Sequence, residues 1–221
     1  MFNSSIGRKI IMALSGAGLA FFIVGHIAGN LQIFLGQEAI NAYAKFLKDS
    51  TAIIWPARIG LLAIVLLHFI MAFKLRAGNT NARPEAYKYE STITASFASR
   101  YMMQTGIIIF IFIVLHLLHF TLGKLQPEFY HLVDSKGRHD VYSMMIHGFQ
   151  NPLYSGAYIF CMLALGLHLS HALSSAFQSL GINHPKYTAK IKLAAPVIAW
   201  GLAFAYISIP VSVLLGIVTL P

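Results

Sequence analysis

An all-α, polytopic membrane protein, a bundle of five transmembrane helices, is the fold class this sequence predicts. Three observations carry it. Apolar residues make up 57% of the 221 positions and charged residues only 10%, whereas an ordinary globular protein is roughly a quarter charged. The apolar residues run in long stretches rather than in the short alternations of a water-facing sheet. Five of these stretches reach the length of about 20 residues that a helix needs to cross a ~30 Å hydrocarbon core. A soluble enzyme, a disordered chain and a nucleic-acid-binding domain are disfavoured by the same figures.

The spans run over about 10–35, 53–73, 102–123, 152–180 and 193–220, within one transmembrane domain covering 1–221. Helices are expected because each span must satisfy its own backbone hydrogen bonds in lipid. The first span follows Arg8 and Lys9 but is longer than the ~7–15 apolar residues of a signal peptide, so it is expected to be retained. Between the first two spans, Ile40, Tyr43, Ala44 and Leu47 share one helical face, which predicts a short amphipathic helix on the membrane surface. The connecting segments are otherwise expected to be short. Cys161 is the only cysteine, so a disulfide within the chain is excluded.

The formal charge of +9 reflects topology. Arg8, Lys9, Lys74, Arg76, Arg83, Lys88, Arg100, Lys186, Lys190 and Lys192 fall on one side of the membrane. Lys45, Lys48, Arg58, Lys124, Lys136 and Arg138 fall on the other. The excess places the N-terminus in the cytoplasm and the C-terminus outside, in a cytoplasmic (inner) membrane.

Six of the ten histidines lie in spans: His26, His68, His116, His119, His168 and His171. Ionisable residues at that depth are costly and are candidates for function, although any single one can serve only to hydrogen-bond a neighbouring helix. Their distribution is more telling. At 1.5 Å per residue, His26 stands ~24 Å and His116 ~21 Å from the N-terminal side, with His68 and His168 both nearer to it. Two layers of two histidines on facing helices are the arrangement that bis-histidine ligation of haem iron requires. Small residues share the faces of His26 (Ser15, Gly18, Gly29, Asn30) and His168 (Ala157, Cys161, Ala164, Ala172, Ser175). They leave room either for a flat macrocycle or simply for close helix packing. A zinc, di-iron or proton-coupled transport site fits less well, because no span holds an internal Asp or Glu.

Several segments carry a resemblance. They are Gly7-Arg8-Lys9, Gly25-His26-Ile27-Ala28-Gly29-Asn30, His116-Leu117-Leu118-His119-Phe120, and the run from Asn151-Pro152 through His168-Leu169-Ser170-His171 to Gly181. In order and spacing the chain resembles, over nearly its whole length, the haem b membrane subunit of succinate:quinone oxidoreductases and fumarate reductases. The resemblance is to the single-subunit class with five helices and two haems. It implies a membrane anchor for a flavoprotein subunit and an iron–sulfur subunit on the cytoplasmic face. Electrons would pass through two haem b groups to a quinone, commonly menaquinone, and no dicarboxylate chemistry would occur in this chain alone. It also implies His26 with His116 as axial ligands of the outer haem iron and His68 with His168 of the inner. His119 and His171 stand as neighbours of these ligands or alternatives to them. The competing expectations are the haem b subunit of a hydrogenase or formate dehydrogenase and a non-catalytic anchor. Because no Cys-x-x-Cys-His motif occurs, covalent haem attachment is not expected.

Two further residues are candidates. Arg100 could pair with an inner haem propionate, as basic groups do in similar proteins, or act as an interfacial anchor. Asp49 is the carboxylate nearest the start of the second span, where related subunits use an acidic group at the quinone site. It is expected either to supply protons there or to cap the second helix.

Overall fold

The structure, a computed structural model, describes residues 4–82 and 95–221. Arg83 and Lys88, which entered the charge count, lie outside the described residues. Five helices are long and apolar enough to cross a membrane. They are α1 (Ser5–Asn30) with the turn after it to Leu35, α3 (Thr51–Asn81), α5 (Met102–His116) with the turn after it to Thr121, α8 (Pro152–Ser179) and α9 (Pro185–Leu214). Among the described residues there is no strand, only one isolated bridge between Val133 and His139. The side of the bundle where α1 begins is termed the N-face, and the opposite side the far face.

Helix boundaries differ from the apolar runs for identifiable reasons. α1 begins early because the Ser4 hydroxyl accepts the Gly7 N–H at 3.0 Å, and it ends in a tighter turn, Leu31–Leu35. Gly36, at φ +96°, then redirects the chain, a conformation that favours glycine. α9 starts before the expected 193, with Pro185 in its first turn and His184 capping Lys186 N–H at 3.2 Å. It stops at Leu214 rather than 220, just before Gly216 at φ +68°. α3 likewise continues past Phe73 to Asn81. Hydropathy marks where a helix is apolar, not where its hydrogen bonds end.

The amphipathic segment is α2 (Gln37–Asp49), with Ile40 and Asn41 buried. Its last residue is Asp49, and the residue preceding α3 is Ser50. Asp49 therefore ends one helix rather than capping the next. The expectation of short connections also needs correction. Between the third and fourth spans lie α6 (Pro127–Tyr130) and α7 (Val141–Gln150), while α4 (Phe97–Arg100) precedes α5. In α7 seven residues are buried, and with α2 it closes the far face over one apolar cluster. Ile27, Ile33, Ile40, Ile146, Phe149 and Val213 meet in it.

α8 and α9 pack most closely. Gly166 lies so near Trp200 that a Cβ there would stand 2.9 Å from the indole. By contrast, Met71 is the only buried residue of α3, and Ile53, Ile59, Leu62 and Ile70 expose their side chains. Such a surface suits lipid rather than water.

A polar network ties this cap together. The Asn41 side chain, fully buried, donates to Asp134 (3.2 Å) and Asp140 (2.9 Å) and accepts the Tyr142 N–H at 3.0 Å. Gln37 donates to Asp140 at 2.9 Å, and Arg138 joins Asp134 to Glu38, each at 2.7 Å. Hydrogen bonds from Arg138 and Lys136 hold the Glu38 carboxyl at about 2, down from 4.5. Burial opposes ionisation of Asp134, but its bonds to Arg138, Asn41 and the Lys136 N–H outweigh that and lower its pKa. Depressed carboxyl values stabilise the fold above the unfolded-state pKa and lose that contribution as pH falls through the folded value. The melting temperature should therefore decline as pH drops from about 4.5 to about 2. Glu38→Gln should flatten that decline, and an unchanged pH profile would refute the clamp.

Candidate haem-binding histidine pairs

The fold brings the four histidines together in two places. Toward the far face, the rings of His26 (α1) and His116 (α5) have centroids 5.8 Å apart and planes at 81°. At a separation of about 6 Å, two imidazoles could hold one metal ion between them. His26 also stacks on Phe22 at 5.2 Å and lies 6.2 Å from Tyr206 of α9. The Tyr206 phenol is tied to the Ile23 carbonyl at 2.8 Å. Toward the N-face, His68 (α3) lies against Ser15 and Gly16 of α1, and His168 (α8) against Thr105 and Gly106 of α5.

The N-face pair is built twice on one plan. His68 Nδ1 meets the Ser15 hydroxyl at 3.0 Å, and His168 Nδ1 meets the Thr105 hydroxyl at 3.1 Å. Each hydroxyl proton is already engaged by its own helix: Ser15 donates to the Met12 carbonyl at 3.1 Å, Thr105 to that of Tyr101 at 2.9 Å. The hydroxyl oxygens are left to accept, so the imidazole protons belong on Nδ1 and the Nε2 lone pairs are bare. A glycine follows each hydroxyl residue and makes room for the ring. A Cβ on Gly16 would stand 3.2 Å from His68 Cε1, and one on Gly106 would stand 3.5 Å from His168 Cε1. Neutral imidazoles oriented through Nδ1, with Nε2 free, are the donors that haem iron takes. The residues present fit the group. Among the described residues, no three His, Cys, Asp or Glu side chains gather to hold a metal ion, so the histidines are offered in pairs.

Several neighbours were not legible in the sequence. Ser15 shares a helix face with His26 but serves His68, 53 positions away. Gly18 makes room for Ile64, and Gly29 for the Tyr43 ring, so these two small residues let helices pack. Asn30 donates to the His26 carbonyl at 2.7 Å. After His116 the helix widens into a π turn, Leu117–Thr121, that carries His119, a device often found at functional sites. His119 is 3% exposed and bonds Gln126 and Tyr158 at 2.7 and 3.1 Å. His171 Nε2 meets the Ser175 hydroxyl on its own helix at 2.9 Å.

Asp49 lies apart from these pairs in its interactions. Its carboxylate is exposed and ion-paired with Lys45 at 2.8 Å. Trp55 instead carries the Arg58 guanidinium 5.4 Å above its ring. Arg100 is exposed at the end of α4, 6.0 Å from the Phe97 ring. No family model, curated protein or solved structure matches this chain.

Proposed function

We propose that this chain is the haem b membrane-anchor subunit of a succinate:quinone oxidoreductase or fumarate reductase in the cytoplasmic membrane. The N-face would lie toward the cytoplasm. The observation that carries the proposal is the pair of histidine pairs at two depths, with both N-face imidazoles held by hydroxyls in the tautomer that leaves Nε2 bare. When bound, two haem b groups supply one-electron transfer between an iron–sulfur partner and a membrane quinone, menaquinone by the resemblance.

The chain's own residues have distinct tasks in this function. His68 and His168 would hold the iron nearer the cytoplasm, and His26 and His116 the iron nearer the outside. Ser15 and Thr105 orient the first pair, and Tyr206 packs beside His26. The cap of α2 and α7 shields the outer end from water. Basic residues of the N-face, among them Arg76, Arg100, Lys186, Lys190 and Lys192, would dock the flavoprotein and iron–sulfur subunits, for which charge sets on-rate and orientation.

Purification from membranes tests this directly. Two haem b per chain and a co-purifying flavin-bearing subunit are expected. One haem, none, or a hydrogenase or formate dehydrogenase partner would overturn it. A finer outcome concerns the hydroxyls. Thr105→Val should keep both haems yet raise the midpoint potential of one of them, because a hydrogen bond accepted from Nδ1–H makes the ligand more basic and favours ferric iron. An unchanged potential would show that Thr105 has no part in holding His168. The Asp49 hypothesis has its own outcome: Asp49→Asn should slow quinone-coupled turnover and leave both haem spectra intact, whereas unchanged turnover would remove Asp49 from the quinone site.

A further inference from the structure

Behind His116 runs a hydrogen-bonded chain that reaches the far-face loop. Tyr158 Oη lies 3.4 Å from His116 Nδ1 and 3.1 Å from His119 Nδ1, and His119 Nε2 lies 2.7 Å from Gln126 Oε1. Tyr158 is 9% exposed and His119 3%, so neither group can turn to water for a partner. The rings are also packed in place. His119 stacks on Phe120 at 4.0 Å and packs against Tyr154 at 4.8 Å. Gly148 of α7 leaves the space they occupy, since a Cβ there would stand 2.8 Å from Phe120 and 3.4 Å from His119.

The donors and acceptors run in one direction. An amide oxygen only accepts, so His119 Nε2 carries a proton toward Gln126. A neutral imidazole protonated on Nε2 presents a lone pair at Nδ1, and Tyr158 donates its hydroxyl proton there. What the phenol oxygen then offers His116 is a lone pair. The His116 proton must sit on Nδ1, and its Nε2 is bare. With the Gln126 amide turned over, every bond would reverse, and His116 would hold its proton on Nε2 with no lone pair for a metal.

We propose that Tyr158 and His119 are positioning residues for His116, selecting its tautomer and ring orientation and linking both to the loop at Gln126. This rests on the haem reading above and deepens it. Both ring nitrogens of His119 are already engaged, so His119 orients a ligand and is not one itself. The hydroxyls of Ser15 and Thr105 do for the N-face pair what Tyr158 does for His116, but His116 is reached through a relay that ends in a loop. The potential at this site is thereby tied to the packing of the far-face cap, because hydrogen bonds in series reinforce one another.

Redox titration and electron paramagnetic resonance of the purified complex test the proposal without recourse to turnover. Tyr158→Phe should leave two haems bound, raise the midpoint potential of the haem that His116→Ala removes, and leave the other in place. His119→Leu should shift the same potential upward by less, and His119→Gln, which can still accept from Tyr158 and donate to Gln126, should restore it. Parent potentials in both Tyr158→Phe and His119→Leu would overturn the proposal while leaving the haem reading intact. Loss of a haem in His119→Leu with retention in His116→Ala would overturn it by making His119 the ligand. A parent complex with no haem at all would defeat the haem reading itself, and this proposal with it.

Discussion

His68→Ala and His168→Ala should each abolish the same component of the reduced-minus-oxidised haem spectrum, and His26→Ala and His116→Ala should each abolish the other. On the proposed ligation each variant would lose an axial imidazole outright, so near-complete loss of one haem in two is expected rather than a graded change. The proposed pairing rests on where the fold puts the four rings. The His26 and His116 rings lie 5.8 Å apart toward the far face, and His68 and His168 are held by Ser15 and Thr105 on the N-face side. Loss of one component by a mixed pair, such as His26 and His68, would show that the helices are assembled differently. Cooperative loss of both haems from every variant would show that the two sites do not fold independently. The purified variants must retain the parent elution profile, so that haem loss is read from assembled protein.

Asn41→Leu should have the largest effect on stability. The side chain is close in size, yet it removes two donated bonds, to Asp134 and Asp140, and the acceptor for the Tyr142 N–H. Asn41 is fully buried, and each polar group left without a partner in such a place costs about 1–3 kcal/mol. Because Asp134 keeps Arg138 and Asp140 keeps Gln37, the losses will not simply add, and a total of about 3 kcal/mol is expected. For a chain of this size that corresponds to a fall in melting temperature on the order of 10 °C. Asn41→Asp should also destabilise, by setting a third carboxylate beside Asp134 and Asp140. A melting temperature within one or two degrees of the parent, on the scale of ordinary surface substitutions, would mean that the cap is held by its apolar cluster alone.

The two expectations concern different levels of structure, and they were legible to different degrees. The five spans and the amphipathic helix follow from hydropathy and period, which are local properties of the chain. The depth of each histidine follows from counting residues along a helix of known rise, because a lipid-spanning helix has little freedom to do otherwise. That is why a one-dimensional count groups His26 with His116 and His68 with His168. Length was less legible, since polar turns such as Pro185–Lys192 continue a helix beyond its apolar part.

What sequence alone determined about this protein is therefore its class, its spans and the level of each histidine. Tertiary structure alone decided which side chains attend those histidines and how the far face is closed. Ser15 reaches His68 across 53 positions, Thr105 reaches His168 across 63, and His119 reaches Tyr158 across 39. Asn41 joins segments about a hundred positions apart. No periodicity announces such bonds, because the burial that makes them worth forming exists only once the helices have packed. Even Ser15, which shares a helix face with His26, meets His68 instead. A helix face is a local property, but the neighbour it meets is not.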